Sequence, residues 1–199
     1  GIRGMEGLIR QALRHNPNME IVITHFVNPG MLKQLQAGTT PLSMRAHEDV
    51  ASHYGVSTIH LAKEVAERIN AGALTWQQFG GTHPKPVGNR ICADMIDQLL
   101  SGAWEKSLAD DARHVAHAVP KEPFDPLHYG NGRFVDLAEA TLKAGWQIKT
   151  PDWKALPGGK RSRFTSIPML TADKAGAEMT LEFTGTAVGV YVVAGPDAG

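Results

Sequence analysis

The chain is nearly without cysteine. Cys92 is the only one in 199 residues, so no internal disulfide can form and a cysteine-rich zinc module is excluded. It also lacks a charge surplus: 20 Lys and Arg balance 20 Asp and Glu. A nucleic-acid binder needs basic residues in excess to neutralise phosphates, so no nucleic-acid partner is expected. No apolar run approaches the about 20 residues that span a bilayer, so no membrane span is expected. There is no Gly-x-Gly-x-x-Gly or P-loop pattern, and no cofactor is expected from motifs. No internal repeat or low-complexity tract is found. The chain opens at Gly1 without a Met or a signal peptide and ends in the turn-rich stretch 194–199. Both ends read as cuts through a longer protein.

What is present is enough for a core. Hydrophobic residues make up 42% of the chain and charged residues 20%, the balance of a folded protein rather than a disordered one. In residues 4–15, Met5, Leu8, Ile9, Ala12 and Leu13 recur at helical spacing before Asn16-Pro17-Asn18. Residues 20–27 are β-branched and nearly continuously apolar, the pattern of a strand covered on both faces. Asn28-Pro29-Gly30 breaks it, and a loop is expected to run to Pro41. A helix follows over 43–54 with Gly55 at its C′ position. Then come a strand over 56–60, a helix marked by Leu61, Val65 and Ile69, a loop over 76–86, and a helix carrying Val87, Ile91, Met95 and Leu99. Helices alternating with strands are the grammar of an α/β sheet with crossover connections. Two strands do not make a stable sheet, so neighbouring strands are expected upstream of Gly1.

The grammar changes after about residue 105. Residues 105–132, with Pro120, Pro123 and Pro126, read as a linker or strap. Beyond them, 146–149, 164–167, 179–183 and 187–193 are strand-like, and Met179, Leu181 and Phe183 alternate with Thr180 and Glu182. Residues 133–199 are therefore expected to form an antiparallel β-sandwich. Tyr129, Trp146, Trp153, Phe164, Phe183 and Tyr191 are expected to fill its core, the alternative being a platform for stacking sugars. Lys160, Arg161 and Arg163 read as a solvated basic turn.

His83 is the candidate for chemistry. It sits in Gly80-Gly81-Thr82-His83-Pro84, just ahead of a helix. Loops beside the carboxyl ends of strands are where open α/β sheets place their sites, and a histidine held there suits a general base. The bland reading is a loop histidine that bonds a neighbour. Metal spacing is poor. His114 and His117 would share a helix face, His47 and His53 would not align, and no His-Glu-x-x-His motif occurs, so no metal is expected.

The stretch from Trp76 to Leu100, Gly-Gly-Thr-His-Pro-Lys-Pro-Val-Gly-Asn with its amphipathic helix, resembles the last conserved block of the SGNH (GDSL-type) hydrolases. The resemblance covers residues 1–104. It implies the C-terminal part of a flavodoxin-like α/β domain with a parallel sheet, and His83 as the catalytic base. The run Phe183 to Tyr191 is similar, more weakly, to sandwich modules attached to some secreted members. The implied activity is acyl transfer on a carboxylic ester, with a carbohydrate O-acetyl ester as substrate and a secreted or periplasmic location. The family's Gly-Asp-Ser nucleophile is missing, and Ser43, Ser52, Ser57, Ser101, Ser107, Ser162 and Ser166 lie in other contexts. The nucleophile and the oxyanion residues are thus expected upstream of Gly1, and the chain alone is expected to be inactive. The family's Asp three residues before the histidine is replaced by Gly80. The alternative is a non-catalytic carbohydrate-binding or interaction protein on the same fold.

Overall fold

The computed structural model describes residues 1–193. Contacts divide the chain into two compact units, Gly1–Gly132 and Arg133–Gly199. The architecture is mixed α/β, with one parallel strand pair in the first unit and two antiparallel pairs in the second. No helix among the described residues is long and apolar enough to cross a membrane.

The first unit opens with α1 (Ile2–His15), followed by β1 (Val22–Thr24). The expected loop to Pro41 contains a further helix, α2 (Pro29–Gln36). Here Asn28 caps the helix by accepting from the Met31 amide at 3.0 Å, and Pro29 occupies a first-turn position that needs no amide hydrogen. The Asn-Pro-Gly sequence is therefore a helix start rather than only a strand stop. Next come α3 (Leu42–Tyr54), ended by Gly55 in the left-handed region, β2 (Ser57–Ile59) and α4 (Leu61–Asn70). The expected loop at 76–86 begins with one more helical turn, α5 (Trp76–Phe79), closed by a Thr75–Gln78 capping box. Helix α6 (Pro86–Ala103) completes the series.

Strands β1 and β2 pair in parallel, with Ile23 opposite Thr58 and Thr24 opposite Ile59. Side chains alternate across a strand, so Ile23 and Ile59 leave the sheet on opposite faces. Each meets its own apolar cluster. Ile23 packs on buried Ile9, Leu13, Val50 and Tyr54, whereas Ile59 joins Leu32, Leu61, Val65, Phe79 and Ile91. Apolar clusters meet both faces, but β1 spans only Val22–Thr24 and Val22 and Phe26 stay 44% and 50% exposed, so the strand expected over 20–27 is shorter and only partly covered.

Residues 105–132 belong to the first unit and strap α1. The carboxylate of Glu6, fully buried on α1, accepts from the amides of Phe124 (2.7 Å) and Asp125 (2.8 Å) and from the Tyr54 hydroxyl (2.6 Å). Arg10 donates to the same tyrosine oxygen at 2.6 Å and to the Pro120 carbonyl at 3.2 Å. Burial pushes the Glu6 carboxyl up, but these hydrogen bonds outweigh it and hold its pKa below the ordinary value. The strap then crosses Gly7, where a β-carbon would stand 2.7 Å from the Tyr129 carbonyl carbon. Only glycine admits that approach.

The second unit is built from shorter pieces. β3 (Thr141–Leu142) pairs with β6 (Met179–Thr180), and β4 (Trp146–Lys149) pairs with β5 (Met169–Ala172), both antiparallel. The strand expected at 146–149 is present, and the one at 179–183 is reduced to two residues. Residues 162–164 form a 3-10 turn where a strand was expected over 164–167, and 187–193 carry no strand. The expected turn at 194–199 lies outside the described residues. No described residue after Gly132 is buried. Of the aromatics expected to fill a sandwich core, Tyr129 lies in the first unit, Phe183 and Tyr191 are exposed, and Trp146, Trp153 and Phe164 are half-buried. Among the described residues the antiparallel pairs form two separate two-stranded sheets.

Candidate functional site

Two places in the first unit hold chemistry-bearing side chains. One is the His83 loop. Phe79 anchors it by burying its ring completely, stacked on Trp76 at 5.7 Å between centroids. The chain turns at Gly80, whose φ of +107° is open to glycine. The Lys85 amide then donates back to the Phe79 carbonyl at 3.0 Å, closing a clasp from 79 to 85. Thr82 and His83 sit on its exposed outer turn, directly before α6.

A β-carbon at Gly80 would stand 2.3 Å from the Lys85 amide nitrogen, in a backbone conformation that L residues rarely adopt. Position 80 cannot carry a side chain while the clasp is closed. Any group that orients His83 must come from elsewhere.

The other place lies at the carboxyl ends of the parallel strands. His25 follows β1 directly, and its backbone is fixed on both sides: its amide donates to the Ile59 carbonyl (2.9 Å) and its carbonyl accepts from the Ala62 amide (2.8 Å). Its side chain is 4% exposed. His25 Nε2 donates to Glu48 Oε1, from α3, at 2.5 Å. His60, between β2 and α4, stacks on His25 with centroids 5.7 Å apart, and its Nε2 lies 3.8 Å from Glu48 Oε2. Thr58 donates to that same oxygen at 3.3 Å. His47 stacks on the His25 ring at 6.2 Å. Burial, the neighbouring His25 and the amino terminus hold the His47 pKa below the ordinary imidazole value, against the pull of Glu48.

Among the described residues, His25, Glu48 and His60 are the one group of three whose ligand atoms all fall within 4.8 Å of one another. His83 is not among them. The set is not legible in sequence because its members are 23 and 12 positions apart and form no local motif. The available signal was the placement of His25 and His60 at corresponding ends of two expected strands.

His53, His114 and His117 lie away from this cluster. His114 and His117 lie in irregular chain rather than on a helix. His117 bonds Glu20 at 3.1 Å. His53 bonds the Glu122 carbonyl at 3.1 Å and meets the Phe124 ring edge-on, on a different side of α3 from His47. In the second unit, Lys160 donates to the Leu156 carbonyl and Arg163 lies over the Phe164 ring, so the basic turn is partly occupied by local contacts.

No family model, curated protein or solved structure matches this chain.

Proposed function

We propose that the chain is the C-terminal part of an SGNH (GDSL-type) ester hydrolase in which His83 is the general base. Residues 1–104 would complete a flavodoxin-like parallel sheet with strands outside this chain. The antiparallel pairs after Arg133 would be parts of a β-sandwich module. The observation that carries the reading is the Phe79–Lys85 clasp, which displays a histidine to solvent directly before the last helix of an α/β unit.

In the proposed reaction a serine outside this chain attacks an ester carbonyl carbon. His83 takes the hydroxyl proton as the new C–O bond forms and returns it to the departing alcohol. Water then attacks the acyl-enzyme, gives its proton to His83, and the serine leaves with it. A carbohydrate O-acetyl ester is the substrate class suggested by the family likeness.

The barred aspartate at Gly80 favours a second reading, a carbohydrate-binding relative without turnover. One experiment separates the two. In the full-length protein, His83→Ala should lower p-nitrophenyl acetate turnover by about 10²–10⁴-fold, the usual share of a positioned acid–base group. Because His83 is exposed, folding should be unaffected. Unchanged turnover, or none in the wild type, removes the hydrolase reading.

A further inference from the structure

The parallel register places Thr24 opposite Ile59, so the next residues along, His25 and His60, are neighbours at the carboxyl ends of β1 and β2. Their rings stack with 26° between planes, and both Nε2 atoms turn to one carboxylate, Glu48. A single His25–Glu48 hydrogen bond would account for one ring. It does not account for the second, whose Nε2 stands 3.8 Å from the carboxylate and 3.5 Å from the Thr58 hydroxyl, which itself bonds Glu48.

We infer that His25, Glu48 and His60 form a binding site for one divalent transition-metal ion of the Zn²⁺ class. Two imidazole nitrogens and a carboxylate oxygen are a ligand set Zn²⁺ takes in sites that leave a fourth position open. Ions that prefer all-oxygen cages, Ca²⁺ and Mg²⁺, are disfavoured by the two imidazoles. Around a tetrahedral ion with bonds of about 2.1 Å, ligand atoms stand about 3.4 Å apart. The separations of 2.5 and 3.8 Å from the carboxylate oxygens bracket that spacing.

The surroundings are those of a held ligand set. His25 is fixed by two backbone hydrogen bonds and backed by the His47 ring. Thr58 orients the Glu48 oxygen that faces His60. Such outer partners set ligand direction and commonly change metal affinity when removed. Glu48 and His60 side chains are 32% and 49% exposed, so water reaches the cluster from their side and can complete the coordination. The ion would join the end of β1, the start of α4 and the middle of α3. His83 is not one of its ligands.

Equilibrium dialysis of the 199-residue chain against zinc chloride, followed by metal analysis, tests the inference. One equivalent should be retained. His60→Ala and Glu48→Gln should each weaken retention by at least ~10-fold, the lower end of what even outer partners contribute. His114→Ala should retain as much as the wild type. Cobalt(II) in place of zinc should give the intense visible bands of a four-coordinate site, and His60→Ala should abolish them. His60 is half-exposed, so this variant should keep the wild-type circular dichroism. No retained zinc in the wild type, or equal retention in folded His60→Ala, overturns the site.

Discussion

The two units of this chain have similar apolar sequence and different interiors. The first buries Ile9, Val50, Leu61, Val65 and Phe79 to 2% exposure or less. In the second, Phe134 is 93% exposed and Tyr191 76%. The difference lies in what each element can reach. An amphipathic helix of 13 or 14 residues, such as α3 or α1, turns a whole stripe towards a neighbour. A strand of two to four residues, such as β3 or β4, offers one or two side chains per face and needs a second sheet to cover them. Alternation in sequence therefore promises a face, not a partner for it.

The largest test of that contrast is a pair of truncations. Phe79→Ala should cost about 3–5 kcal/mol in chemical denaturation, as for a buried aromatic. Phe134→Ala should stay within about 0.5 kcal/mol, as for an exposed site. Equal costs would mean that the second unit has an interior of its own.

Next is the strap. Glu6→Gln should destabilise the first unit by about 2–3 kcal/mol, the scale of hydrogen bonds to a charged group left poorly matched. The pH dependence has a fixed sign. Because the folded pKa of Glu6 lies below its ordinary 4.5, the carboxylate's contribution is complete above that value and is lost as pH falls through the folded one. The gap between wild type and Glu6→Gln should narrow on acidification. A constant gap would show that the charge of Glu6 is not what holds the strap.

Smaller in scale is Gly80→Asp, which places there the aspartate that the proposed hydrolase reading calls for. It should cost about 1–3 kcal/mol, since the position requires a left-handed backbone, and should not raise turnover in the full-length protein. A gain in activity without loss of stability would mean that the clasp opens to admit a carboxylate.

The smallest test uses one motif present in both units. Thr75→Ala removes a capping box at α5, next to buried Phe79, and should cost about 1 kcal/mol by thermal melting. Asp136→Ala removes a like box from an exposed 3-10 turn in the second unit and should cost less. The reverse order would break the contrast between the units.

The helices α1, α3, α4 and α6 were legible because apolar residues recurred at helical spacing over ten or more positions. α2 and α5 were not, because their signals are caps. Asn28-Pro29 serves as a strand stop and a helix cap alike, and Thr75–Gln78 lies in a segment too short for periodicity. The exposed loop position of His83 was also legible, since Gly and Pro punctuate both sides of it. Its chemical role still rests on the family likeness.

Sequence alone determined the longer helices α1, α3, α4 and α6, because helical spacing acts over a few positions and repeats along them. Tertiary structure decided everything that depends on distant partners. It let Glu6, a charge on the same helix face as Ile9 and Leu13, be buried, because Tyr54 and the amides of Phe124 and Asp125 supply its hydrogen bonds from far along the chain. It barred a side chain at Gly80 by bringing the Lys85 amide against it. It brought His25, Glu48 and His60 together through a strand register and a helix position, neither of which the sequence spells out.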